Sequence, residues 1–137
     1  MSDTQTYSLS PQAPALARRR LNEYRDAVEQ GLFDDLRIVT SELVSNAVTH
    51  SGKQEGDPIT VNTTLAANVF RVEVVDYADA VPVLQPADDR RSGLAYVGIV
   101  SDRWAGSTTT PFFVWAEIDV RTNGLIRRPT AAEVGAN

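Results

Sequence analysis

Residues 41–52 read SELVSNAVTHSG, and the spacing within this stretch decides how the chain is read. Glu42, Asn46 and His50 recur every four residues, and such positions on an α-helix return to nearly the same side, one turn apart. A carboxylate, a carboxamide and an imidazole are thereby set in a line. Leu36, Val39, Leu43 and Ala47 form a neighbouring apolar stripe, which predicts a helix over residues 33–49 with that stripe against a core. Taken alone, the polar line reads most simply as the solvated edge of an amphipathic helix. The rest of the chain shifts that reading.

On the N-terminal side, QTYSL (5–9) has the look of a short strand. Pro11 and Pro14 lead into ALARRRLNEYRDAVEQG (15–31), where Ala15, Leu16, Leu21, Tyr24 and Val28 fall at roughly helical spacing. Gly31 is placed to end this first helix. On the C-terminal side, SGKQEGDP (51–58) is a polar loop. ITVNTTLA (59–66) and VFRVEVVDYA (69–78) read as two strands rich in β-branched residues, joined tightly at Ala67-Asn68. Residues 78–92 are rich in Ala, Pro and Asp without periodicity, a long loop of the kind that carries function. A helix is predicted at SGLAYVGIVSDRW (92–104) and a strand at TPFFVWAEIDV (110–120). The tail, 124–137, has no pattern and is expected to be flexible. Helices and strands are partly segregated along the chain. That predicts an α/β two-layer sandwich: a mostly antiparallel sheet with helices on one face.

Composition narrows the function. A chain of 137 residues, 42% hydrophobic and 23% charged, suits a single domain spanning 1–137 with its core in residues 5–120. A net charge of −5 argues against nucleic acid as a partner. The short basic clusters at Arg18, Arg19 and Arg20, at Arg90 and Arg91, and at Arg127 and Arg128 read as local anion or partner contacts. There is no cysteine and one histidine, so thiol chemistry and multi-histidine metal sites are excluded. With no apolar run of membrane-spanning length and no signal-peptide core, no membrane partner is expected and a cytoplasmic location is the default.

Three stretches bear on the opening one. Asp76 ends a strand and begins the long loop, where a carboxylate can accept hydrogen bonds from the amino group of a base. Gly93 opens a helix after that loop, and a glycine there lets backbone amides approach phosphates. FFVWAEI (112–118) is a strand that can close the sheet beside them. An asparagine on an adjacent helix can hold magnesium through its amide oxygen, with phosphate oxygens and waters completing the shell. A glutamate one turn earlier can orient or deprotonate a nucleophile beside the terminal phosphate.

In this order the motifs resemble those of the GHKL (Bergerat-fold) ATPases, the fold shared by gyrase-type topoisomerases and histidine kinases. The nearest likeness is to the bacterial anti-sigma-factor serine/threonine kinases. SELVSNAVTH is similar to their asparagine-box helix, VVDYADAVP to their first loop motif, and GLAYVGIVSDRW to Gly-Leu-x-x-Val-x-x-Leu-x-Asp-x-Trp without a gap. VWAEI matches the closing strand, and YSLSPQAPALARR the approach to the first helix. The resemblance implies ATP and Mg2+ as cofactors, with Glu42 as catalytic base and Asn46 as magnesium ligand. Asp76 becomes the adenine contact, and Ala78, Ala80, Arg91, Ser92, Gly93 and Leu94 line the nucleotide. It also implies a homodimer whose partner is an anti-anti-sigma (STAS-type) protein, a sigma factor or both.

The departures matter equally. Ala78 and Ala80 stand where the family's first loop commonly has glycines, and a positive φ is costly for alanine. Where the second motif usually reads Gly-x-Gly-Leu, this chain has Arg91-Ser92-Gly93-Leu94, with Arg90 or Arg91 available to the phosphates. Two readings therefore stand side by side: a kinase acting on a regulatory partner, and a non-catalytic module that sequesters a sigma factor or its antagonist with weak nucleotide binding or none. His50 reads as packing and capping the helix C-terminus, and Trp104 and Trp115 as core.

Overall fold

The computed structural model describes residues 1–50, 54–75, 95–106 and 113–120. Five strands form one sheet: β1 (Ser2–Ser8), β2 (Pro58–Ala66), β3 (Val69–Val75), β4 (Arg103–Gly106) and β5 (Phe113–Asp119). Their spatial order is β1-β2-β3-β5-β4, and every neighbouring pair is antiparallel. The helices are α1 (Ala13–Arg20), α2 (Gln30–His50) and α3 (Ala95–Val100), with a 3-10 segment over Leu21–Ala27. This is the antiparallel α/β sandwich that the sequence predicts. Among the described residues no helix is long and apolar enough to cross a membrane.

Period-two alternation sets the inner face of the sheet. Ile59 and Val61 on β2, Phe70, Val72 and Val74 on β3, and Val114, Ala116 and Ile118 on β5 are all buried. Against them α2 lays Phe33, Leu36, Val39, Leu43 and Ala47, each without exposed surface. Burying one such aliphatic or aromatic side chain is worth about 1.5–3 kcal/mol, so the stripe beside the Glu42 line is what seats α2. One polar pair is sealed within this layer: the Tyr24 and Thr63 hydroxyls hydrogen-bond at 2.9 Å. The Tyr24 ring meets Phe70 edge-on at 5.5 Å.

The outer face carries the alternate residues and is polar. Thr4 donates to Asn62, whose amide donates to Glu73. Arg71 pairs with Glu73 and Glu117, and Arg103 with Glu117 and Asp119. Trp115 belongs to this face: the Arg71 guanidinium lies 4.4 Å from its ring centroid. The expectation that it is a core residue is corrected, because it alternates with the inward-facing Val114 and Ala116.

Two boundaries differ from the sequence reading. Gly31 does not end the first helix but lies in the first turn of α2. The α1 turns tighten at Leu21 into the 3-10 segment, and the chain breaks instead at Val28, whose backbone is extended (φ −139, ψ 161). At three residues per turn, Leu21 and Tyr24 fall on one side, and both are buried. Second, the helix expected over 92–104 ends at Val100 among its described residues, and Arg103–Gly106 pairs with β5 as β4. The Asp102 amide donates to the Glu117 carbonyl, and its carboxylate accepts the Asp119 amide at 2.6 Å, which turns the chain into the sheet. The β2–β3 connection is as predicted. Ala67 and Asn68 both take left-handed backbone (φ 53 and 62), the geometry that tight hairpins favour.

Candidate functional site

The polar line of the opening stretch survives on α2 as an edge between core and solvent. Four residues overshoot a full turn by about 40°, so Asn46 is carried further toward the core than Glu42. Glu42 is accordingly half-buried, while Asn46 is only 7% exposed. Ser45, between them in sequence, faces out.

Burial alone raises the Glu42 carboxyl above its ordinary value of 4.5. A carboxylate so placed is a better base than one in open water, since partial desolvation disfavours its charged form. The carboxamide oxygen of Asn46 is buried without a hydrogen-bond donor. An amide oxygen stripped of water and left unpaired costs about 1–3 kcal/mol, and in a native protein such an orphan calls for an explanation. Its chemistry is that of a hard, acceptor-only oxygen, which fits a magnesium ion or a water that the ion holds. Among the described residues no group of three or more acidic or histidine side chains could hold a metal.

α2 packs against β3, β5 and α3. β3 ends at Val75, immediately before Asp76 in sequence, and α3 begins at Ala95, immediately after the 91–94 motif. Asp76, Ala78, Ala80, Arg91, Ser92, Gly93 and Leu94 themselves lie outside the described residues, as do the tail and the long loop. His50 closes α2, and the reading of its side chain falls outside as well. The site residues brought together are thus Glu42 and Asn46.

The motif after Gly93 also contributes structure. Gly98 on α3 leaves room for the Trp104 indole, whose Nε1 would stand 3.3 Å from a β-carbon there. With the Asp102 contact to β5, this fixes α3 to the end of the sheet. Sequence reasoning passed over one acid on the α2 edge. Asp35 lies seven residues before Glu42, hence on the same side, and is 2% exposed. That seven-residue interval was the available signal.

The sequence model of the histidine kinase-like ATPase domain matches residues 7–103. No curated protein matches the chain. The matched span takes in the end of β1 and all of α1, α2, β2, β3 and α3, and therefore the Glu42–Asn46 edge, while β5 lies beyond it. The chain belongs to the histidine kinase-like ATPase domain family, an ATP-binding class of domain.

Proposed function

We propose that this protein is a regulatory serine/threonine kinase that binds ATP with Mg2+ and phosphorylates a Ser or Thr of an anti-anti-sigma-type protein partner. The observation that supports it most is the pairing on α2 of a half-buried carboxylate of raised pKa with a buried, unpaired amide oxygen one turn later. In this reading bound MgATP supplies the phosphoryl group. Asn46 would hold the ion by an oxygen already desolvated and held by helix packing. Glu42 accepts the proton of the incoming hydroxyl, or orients that hydroxyl, from a position one turn away. The helix makes no adjustment to do either, because its buried stripe holds both residues. Asp76 as the base contact and residues 91–94 as phosphate contacts belong to the proposal on their motif resemblance, as does a homodimeric state.

A second reading, a non-catalytic module that sequesters a sigma factor or its antagonist, is favoured by Ala78, Ala80, Arg91 and Ser92, which depart from the residues the family's loops commonly carry. One experiment separates the two. Nucleotide affinity, partner affinity and phosphate transfer are measured for wild type, Glu42→Gln and Asn46→Ala. The kinase reading expects Glu42→Gln to bind nucleotide normally while transfer falls about 10²–10⁴-fold, the usual contribution of a general base. Asn46→Ala should lose the magnesium dependence of binding. A wild-type protein that holds its partner but transfers no phosphate, with Glu42→Gln holding it equally well, leaves the sequestering module.

A further inference from the structure

Three arginines of the described residues are held by carboxylates. Arg20 is held by Asp3 and Glu23, Arg71 by Glu73 and Glu117, and Arg103 by Glu117 and Asp119. Among the described residues no ion pair holds Arg18, Arg19, Arg25 or Arg37, and Arg18 donates to the Ser41 hydroxyl at 3.1 Å. Arg25 donates to the side-chain oxygen of Asn22 at 3.2 Å, and the Nε of Arg37 is buried without any acceptor. Both guanidinium groups lie over one ring, that of Phe33, at 5.1 Å and 5.8 Å from its centroid. The ring itself has no exposed surface. An acid close by in sequence, Asp34, accepts a hydrogen bond from Gln30 instead.

A cation–π contact with a ring meets none of a guanidinium's N–H groups. Two like charges drawn to one ring, with a donor between core and solvent left unmet, make an arrangement that lacks an anion. We propose that Arg25 and Arg37 form an anion site across Phe33 that takes carboxylate side chains from an acidic segment of a protein partner. The Nε–H and Nη–H edge of an arginine offers two parallel donors, which a flat carboxylate meets in plane. Because Nε is enclosed, a slender planar group reaches it with less displacement of the guanidinium than a tetrahedral phosphate does. Two guanidiniums over one ring suit a segment bearing more than one carboxylate. The inference does not depend on nucleotide binding or on phosphoryl transfer.

The test follows the arginine Nε–Hε resonances of the full chain by NMR, at low salt, during titration with an end-blocked hexaglutamate peptide and, separately, with inorganic phosphate. The Arg25 and Arg37 signals should move saturably with the peptide, while those of Arg71 and Arg103 stay put. Phosphate should need a concentration higher by about tenfold or more to do the same. R25Q and R37Q should each weaken peptide binding by about tenfold, and R37K should do so too, since an ammonium lacks the fork. Uniform movement of all arginine signals, no movement of Arg37, or phosphate binding as tight as the peptide would each overturn the proposal. The wild-type titration decides the matter even if a variant fails to fold.

Discussion

Glu42 stands one helical turn before Asn46 on α2, the carboxylate half-buried and the carboxamide oxygen sealed from both water and donors. The pair is costly to the folded protein in the absence of a ligand, and the cost has a pH signature. The folded state raises the Glu42 pKa through burial, so it holds this proton more firmly than the unfolded chain. Between the unfolded and folded values the native state binds more protons, and stability falls as pH rises through that window. Glu42→Gln removes the titration. Its melting temperature should exceed that of wild type near neutral pH, with the gap closing below the ordinary value of 4.5. Thermal unfolding across that range checks this, and a gap that widens in acid would refute it.

Tyr24→Phe tests the sealed polar pair. The variant keeps the edge-on contact with Phe70 but leaves the buried Thr63 hydroxyl without the partner it has at 2.9 Å. Denaturant unfolding should show a loss of about 1–3 kcal/mol, the penalty for stranding a buried group. The double change Tyr24→Phe with Thr63→Val should recover part of it, because removing both partners costs less than removing one.

How far these features were legible in the sequence differs from residue to residue. The apolar stripe of α2 and the alternation in β2, β3 and β5 were readable, since helix and strand periods are imposed by burial on one side. Gly31 misled because a glycine signals a helix end only where the chain turns left-handed, and here the break came at the extended Val28. β4 was hidden inside a helical pattern: four residues are too short for a period, and the Asp102 carboxylate that redirects the chain acts on Asp119, seventeen positions away. Trp115 was misplaced because aromatic character suggests core, whereas its parity along β5 faces it outward. The four-residue spacing of Glu42 and Asn46 was readable too. That Asn46 alone is sealed follows from helix overshoot combined with packing on β3, β5 and α3, which spacing does not supply.

The hairpin turn offers a stabilising change. Ala67 holds φ 53 and Asn68 φ 62, and asparagine tolerates that region while alanine pays roughly 1–2 kcal/mol for it. Ala67→Gly should raise stability by up to about 1 kcal/mol, the glycine's greater freedom in the unfolded chain offsetting the rest. Asn68→Val, β-branched at a left-handed position, should lower it. Equal melting temperatures for all three proteins would show that the turn is not strained.

The outer sheet face gives a prediction of opposite sign to that for Glu42. Glu117 accepts hydrogen bonds from Arg103 at 2.7 Å and from Arg71 at 3.1 Å. The Arg103 hydrogen bond, more than any other influence, holds its carboxyl below the ordinary value of 4.5, against a smaller upward push from burial. A lowered pKa means that the unfolded chain binds more protons in the window, so stability rises with pH there and is lost as pH falls through the folded value. Glu117→Gln should therefore be less stable than wild type near neutral pH and equal to it in acid. The loss should be modest, since exposed pairs contribute about 0.2–1 kcal/mol and are screened by salt. It should exceed that of a single pair only insofar as one carboxylate serves two guanidiniums. Measured together over pH, Glu42→Gln and Glu117→Gln should depart from wild type in opposite directions at neutral pH and converge on it in acid. Departures of the same sign would mean that burial does not govern Glu42, and the case for it as a tuned base on α2 would fall.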